Sequence, residues 1–430
     1  MRTWVLLIAI AGLPLVVGPL SASAQGEPAN ICASGWVDTT SIEDLATEDV
    51  VSLSGSEAWA VGGAPLGGGK RGAAALRFDG LGWTQEEVPS SSARDSAFMA
   101  VDAAGPDRPL WAVGYEREPS WLRPFVARRE DGRWTSDTSI DLGPGSATLV
   151  DVAASGDGAV WAVGFIVGMP GQQHPWVLRR EGGRWEALSP VLENGERGML
   201  SSVSVSPQGG TWVAGTVTRS GPALPLVVMR SGADWMRQRL PEIGEASIAD
   251  IDVPRNEEGW AVGHRLEGST IQPLVLRWDG SSWSEWSPPG TGSVATILTG
   301  VSAAREGAPT VAGTFWDEKG RRFRGMVARW EGTGWDISIV AKALGPSWLK
   351  SVDGDPGATG WVAGVAGGTS GDRTRLSDAL LTRTCEELSS DRQPGQPAPV
   401  AVHGPVAGLQ VPGSVSGRVT APPVARSAAV

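Results

Sequence analysis

The chain has 430 residues, with 59 glycines and 21 tryptophans but one tyrosine, three histidines and two cysteines, and a net charge of −11. That profile suits many short strands joined by tight turns, and it starves zinc sites and most histidine-dependent catalysis of side chains. The acidic balance excludes nucleic acid as a bulk partner, because binding phosphates takes a concentrated basic surface.

The first element is a leader. "MRTWVLLIAIAGLPLVVGPLSASAQG" places Arg2 before an apolar run and ends on small residues before Gln25, the layout of a secretory signal spanning 1–24. Its removal implies export to the extracellular space or the cell envelope. No later stretch approaches the ~18 uninterrupted apolar residues of a membrane helix, so no membrane span is expected after cleavage. Disulfides persist in such a compartment.

The next stretch, "ICASGW" at 31–36, has a turn and a tryptophan with no strand before them, and the rest of the chain explains why. "WAVG" begins at Trp59, Trp111, Trp161 and Trp260, "WVAG" at Trp212 and Trp361, and a weaker "TVAG" at Thr310. The spacings are 52, 50, 51, 48, 50 and 51 residues, the period of a four-stranded propeller blade. Each unit holds four short apolar segments separated by Gly, Asp and Pro, such as "ATLVDVA", "VWAVG", "PWVLRRE" and "RWEAL" between 147 and 188. No helical periodicity interrupts them.

These observations predict an all-β fold, a seven-bladed β-propeller of four-stranded antiparallel blades over 31–388. The last unit stops after its third strand, "ALLTRTC" at 379–385, and the missing fourth strand is "ASGWVDTT" at 33–40. The N-terminal strand is therefore expected to complete the last blade. Cys32 and Cys385 flank that break and are the only two cysteines, so a disulfide between them is expected. The remaining 389–430, rich in Pro, Ala, Val and Gly with no aromatic residue, is expected to be disordered.

Residue types that recur in every blade are read as architecture. They include the second-strand tryptophans, the fourth-strand tryptophans from Trp36 to Trp335, and an arginine late in each third strand: Arg77, Arg128, Arg179, Arg230, Arg277, Arg329 and Arg383. Each arginine is expected to lie over indoles or to pair with a carboxylate.

"RWDG" at 277–280 resembles the strand ending of WD-repeat propellers, and the 50-residue period with a glycine-ended second strand resembles kelch repeats. The whole phrase is similar to tandem "WAVG…HWDGxxW" repeats of exported bacterial propellers. The resemblance implies fold rather than activity.

Function is expected on the variable face, where the long second-to-third and blade-to-blade connections lie. Its asymmetric feature is "TFWDEKGRRFRG" at 314–325, where Phe315 and Trp316 stand beside Lys319, Arg321, Arg322 and Arg324. Arg373 and Arg375 of the seventh unit and Lys70 and Arg71 of the first add to the same sector. A basic sector with aromatics on an acidic protein points to an anionic partner, a protein or a polysaccharide. No cofactor is expected. Asp49, Asp102, Asp151, Asp250, Asp252 and Asp353 on the innermost strands offer Ca²⁺ a place in the central channel.

Catalysis finds little support. A sialidase-like site would pair Tyr115 with Glu116 and add three arginines, whose spacing is missing, and a copper radical oxidase would need a second tyrosine. The reading is a secreted, monomeric, non-catalytic binding or scaffold propeller. Its alternative is a glycoside hydrolase or lyase working with carboxylates alone.

Overall fold

The computed structural model describes residues 36–40 and 45–384 except for loop residues 68–69, 90–93, 141–144, 169–171, 189–191, 194, 304–307, 341–345, 355–359 and 371–372, and also Val419–Thr420. Side chains are described between 45 and 367. The leader, both cysteines and the tail other than Val419–Thr420 lie outside the described residues. Among the described residues, no helix is long and apolar enough to cross a membrane.

The fold is a β-propeller of four-stranded antiparallel blades. The expectation of a seven-bladed propeller is corrected to six blades, each built from four strands consecutive in the chain, over 46–86, 96–136, 146–188, 197–237, 246–286 and 296–340. The remaining strands form a composite sheet in the order Trp36–Thr40, Arg373–Thr384, Gly360–Ser370, Ser347–Gly354, with Trp36 opposite Thr384. It lacks the covalent turn that joins third to fourth strand elsewhere, which is why it is not a seventh copy of the same unit. Blade six also departs from the four-strand rule, since Val419–Thr420 runs along Trp335 and Gly334 as a fifth strand. The composite sheet sits between blades six and one. Gly354 N–H donates to Ser302 Oγ at 3.2 Å on one side, and Thr47 Oγ1 donates to the Gly364 carbonyl at 2.5 Å on the other.

A single local device recurs in every sheet. The first strand carries a β-bulge, with register shifts at Thr47/Asp49, Phe98/Ala100, Leu149/Asp151, Leu200/Ser202, Ile248/Asp250, Leu298/Gly300 and Leu349/Ser351. The extra residue pushes a carbonyl toward the neighbouring strand. A Cβ on the glycine facing it (Gly62, Gly114, Gly164, Gly215, Gly263, Gly313 or Gly364) would lie only 1.9–2.3 Å from that carbonyl oxygen. The glycine ending each "WAVG" is thus a clearance residue for the bulge.

The tryptophans that open the same phrase bind blade to blade. Trp59 meets Trp134 of the next blade edge-on at 6.0 Å, Trp111 meets Trp185 at 6.0 Å, Trp161 meets Trp235 at 6.1 Å and Trp212 meets Trp283 at 5.9 Å. Trp361 of the composite sheet closes the circle on Trp83 of blade one at 5.0 Å. Two guanidinium groups bracket each of the first three indoles. Arg77 and Arg129 lie over Trp59 at 5.8 and 4.4 Å, Arg128 and Arg180 over Trp111 at 5.4 and 4.7 Å, and Arg179 and Arg230 over Trp161 at 5.3 and 5.0 Å. Arg230 differs from its expected equivalents: Met229, not Arg230, faces Trp212, so Arg230 reaches back to the preceding blade as Arg129 and Arg180 do. With Arg129 paired to Glu86 at 2.8 Å and Arg180 to Asp137 at 3.1 Å, these cations serve the blade interfaces.

Candidate functional site

Two places gather side chains capable of chemistry: the central channel and the long-loop face of blade six. In the channel, a cavity of about 240 Å³ is lined by Asp49, Asp102, Asp151, Asp250, Asp252 and Asp353. These carboxylates reach sideways to the next blade. Asp49 Oδ2 accepts the Val101 N–H at 2.8 Å, Asp102 Oδ2 that of Ala154 at 2.7 Å, and Asp151 Oδ2 that of Val203 at 2.7 Å. Serine takes over in blade four, where Ser202 and Ser204 Oγ accept from Ile251 and Val253 at 3.3 and 3.0 Å. Asp250 and Asp252 then accept from Val301 and Ala303 at 2.8 and 2.7 Å. After the Ser302–Gly354 bond, Asp353 Oδ2 accepts from Ser52 N–H of blade one at 2.7 Å. Every sheet-to-sheet junction is clasped at least once.

The second oxygen is also engaged in Asp49, Asp151 and Asp250, whose Oδ1 accepts the N–H of the following residue at 2.8 Å. Among the described residues, no group of three or more His, Cys, Asp or Glu side chains is placed to hold a metal ion. The channel acids keep some surface, which faces the channel. Burial raises Asp49, Asp102 and Asp252 to about 7, against hydrogen bonds that favour the charged form. Burial and the neighbouring carboxylates Asp250 and Asp49 push Asp151 well up, and burial raises Asp250. Raised acids in a cavity are one mark of a catalytic site. Here each of the six gives at least one oxygen to a backbone amide of the next sheet, the geometry of a structural collar.

Tyr115 and Glu116 do not form a nucleophile pair. They are successive residues of the strand Leu110–Arg117 and so point to opposite faces. Buried Glu116 is held by Arg94 at 3.4 Å and by Arg123, while burial raises the Tyr115 hydroxyl.

On the long-loop face, blade six runs Pro309–Asp317 into Arg322–Trp330 with Trp316 opposite Phe323 and Phe315 opposite Arg324. Strand alternation separates the predicted residues. Phe315 packs into the core around Trp260 and Leu298, and Arg324 lies on the same face, 3.7 Å from Asp317. Trp316 lies on the other face, against Phe323 at 5.1 Å, and Phe323 meets Trp348 of the composite sheet at 5.2 Å. All three rings are partly exposed, as one continuous aromatic surface.

Phe323 and Trp348 escaped sequence reasoning. Phe323 lay unnoticed within the quoted hairpin, and Trp348 comes from the next unit's first strand, whose equivalents are Ala46, Ala97, Thr148, Met199, Ser247 and Ile297. Lys319 and Arg321 project at the tip, both exposed, and among the described residues their side chains have no partner. Near the rings, Lys350 is paired with Glu48 at 3.4 Å. Lys70 is exposed and Arg71 partly buried, on the strand Lys70–Phe78 of blade one. Arg373 and Arg375 belong to the strand Arg373–Thr384, with side chains outside the described set.

No protein-family profile matches the chain, and no curated protein does. Solved structures do match. YCF48 bound to a D1 peptide is 15% identical, with a TM-score of 0.50 over 82% of this chain and 97% of that one. The polysaccharide lyase Uly1 is 10% identical, with a TM-score of 0.48 over 79% and 89% of the two chains. A PL25 ulvan lyase bound to a GlcA–Rha3S saccharide is 9% identical, with a TM-score of 0.49 over 81% and 95%. At 15% identity the likeness to the YCF48 structure shows a shared fold and no more.

Proposed function

We propose that this chain is an exported, non-catalytic recognition propeller that takes an anionic partner on the long-loop face of blade six. The carrying observation is the aromatic surface of Trp316, Phe323 and Trp348 on a hairpin whose tip cations Lys319 and Arg321 have no ion-pair partner among the described residues. Over 317–324 four cations stand against two acids, on a chain whose net charge is −11. Local positive potential on an acidic protein selects anions and speeds their approach. Neighbouring propellers acting on polysaccharide or holding a peptide are compatible with recognition of either polymer.

The test is retention of the mature chain on immobilised polygalacturonate and on polyglutamate. Retention on at least one is expected at roughly 0.05 M salt, with release near roughly 0.3 M as screening shortens the reach of surface charge. The double variant Lys319→Ala/Arg321→Ala should elute at markedly lower salt. A wild-type chain that passes through both columns contradicts the reading.

A further inference from the structure

The tip of the blade-six hairpin is strained. Among the described residues only Asp131 and Arg321 combine a side chain with positive φ, at 51° and 49°. Asp131 is accounted for by its turn: with Gly132 at 76° it forms the two-residue Asp-Gly hairpin that needs positive φ at both positions. Arg321 is the last residue of the four-residue loop that joins Asp317 to Arg322. It occupies the left-handed position just before the strand Arg322–Trp330, where glycine costs least. At the neighbouring Gly320 an added Cβ would approach only side-chain ends, Asp317 Oδ2 at 2.7 Å and Arg322 Nε at 3.1 Å, while the next position holds an arginine at positive φ. A residue kept in a sparsely populated region points to function.

Beside it lies the Trp316–Phe323–Trp348 surface, whose rings are locked edge-to-face or tilted at 70° and 37°. A sugar ring presents an apolar C–H face to aromatics and its acid group at the rim.

We propose that this is a site for an acidic saccharide. The aromatics take the apolar face of a uronic or sulfated sugar, and Arg321, held by its left-handed backbone, takes the carboxylate or sulfate. This rests on the recognition reading above and narrows its partner from any polyanion to a glycan. The bond is a charge-assisted, bidentate-capable contact, which a lysine would not reproduce.

The test measures binding of four probes to the full mature chain: oligogalacturonate, a sulfated oligosaccharide, a neutral oligosaccharide of equal length, and polyglutamate. Oligogalacturonate or the sulfated probe is expected to bind at least tenfold more tightly than the neutral one. Arg321→Gly should weaken that binding about tenfold or more while leaving the melting temperature unchanged or higher, because glycine relieves the strained φ. Trp316→Ala should weaken the same probe, with its melting curve recorded to confirm a folded ring. Unchanged saccharide binding in Arg321→Gly, equal binding of the neutral probe, or a clear fall in melting temperature overturns the proposal. Binding of polyglutamate alone overturns the saccharide assignment but leaves anion recognition standing, whereas binding of no probe overturns both.

Discussion

Gly164→Ala should unfold the propeller or cost it about 4 kcal/mol or more, among the largest single-residue effects available in this chain. The new Cβ would lie 2.0 Å from the Thr148 carbonyl oxygen and 3.0 Å from Leu149 Cα, both backbone atoms of a bulged strand. Neither can yield without breaking the register that seats Leu149, which is fully buried, opposite Gly164. The control is Gly156→Ala, where an added Cβ has no neighbour within 4 Å and φ is not positive, so the change should stay within about 0.5 kcal/mol. Chemical denaturation of the two variants checks both values. A Gly164→Ala chain as stable as the control would show that the bulge is not rigid.

The second large effect is on pH. The channel aspartates have folded pKa values raised above the ordinary 3.8, to about 7 for Asp49, Asp102 and Asp252. Between about pH 4 and 7 the folded ring holds protons that the unfolded chain has released, so its stability falls as pH rises through this window. The propeller should melt several degrees higher at pH 5 than at pH 8. Buried His264 works in the opposite sense: its folded pKa is lowered by burial, so its contribution shrinks as pH drops below 6.5. One such group stands against five raised carboxylates. Acids with lowered values, such as Asp137 and Glu196, keep their contribution above their ordinary 3.8 and 4.5 and lose it only as pH falls below these. Calorimetry from pH 5 to 8 reads the slope, and Asp102→Asn should flatten it by removing one titrating group. A melting temperature that rises toward pH 8 would mean that the amide hydrogen bonds outweigh burial and keep the collar ionised.

Much of this was legible in the repeats, because each propeller blade writes the same constraints again. The phrase "WAVG" displays both the interface indole and the bulge-clearing glycine, though the reason for the glycine appears only with the register. The composite sheet was readable from a missing fourth strand, but the number of blades was not, nor was the fifth strand at Trp335. The site was half visible. Sequence placed Arg321, Arg322 and Arg324 together, and strand alternation then put Arg324 with Phe315 on the face turned from Trp316. Trp348 was invisible because it joins the platform from another sheet, and the Arg321 strain because a residue's φ follows from how the turn closes. The channel aspartates were found, but as possible metal ligands, since a list of acids does not reveal that their oxygens meet the next blade's amides.

The central claim is that recognition occurs at the blade-six hairpin rather than in the channel, and hydrogen–deuterium exchange on the full mature chain with saturating oligogalacturonate tests it most directly. The account predicts slower exchange confined to 314–325 and 347–350, with the first strands around Asp49, Asp151 and Asp250 unchanged. Protection centred on those channel strands, with the hairpin unaffected, would contradict it and return the carboxylate collar to consideration as the place where ligand is held.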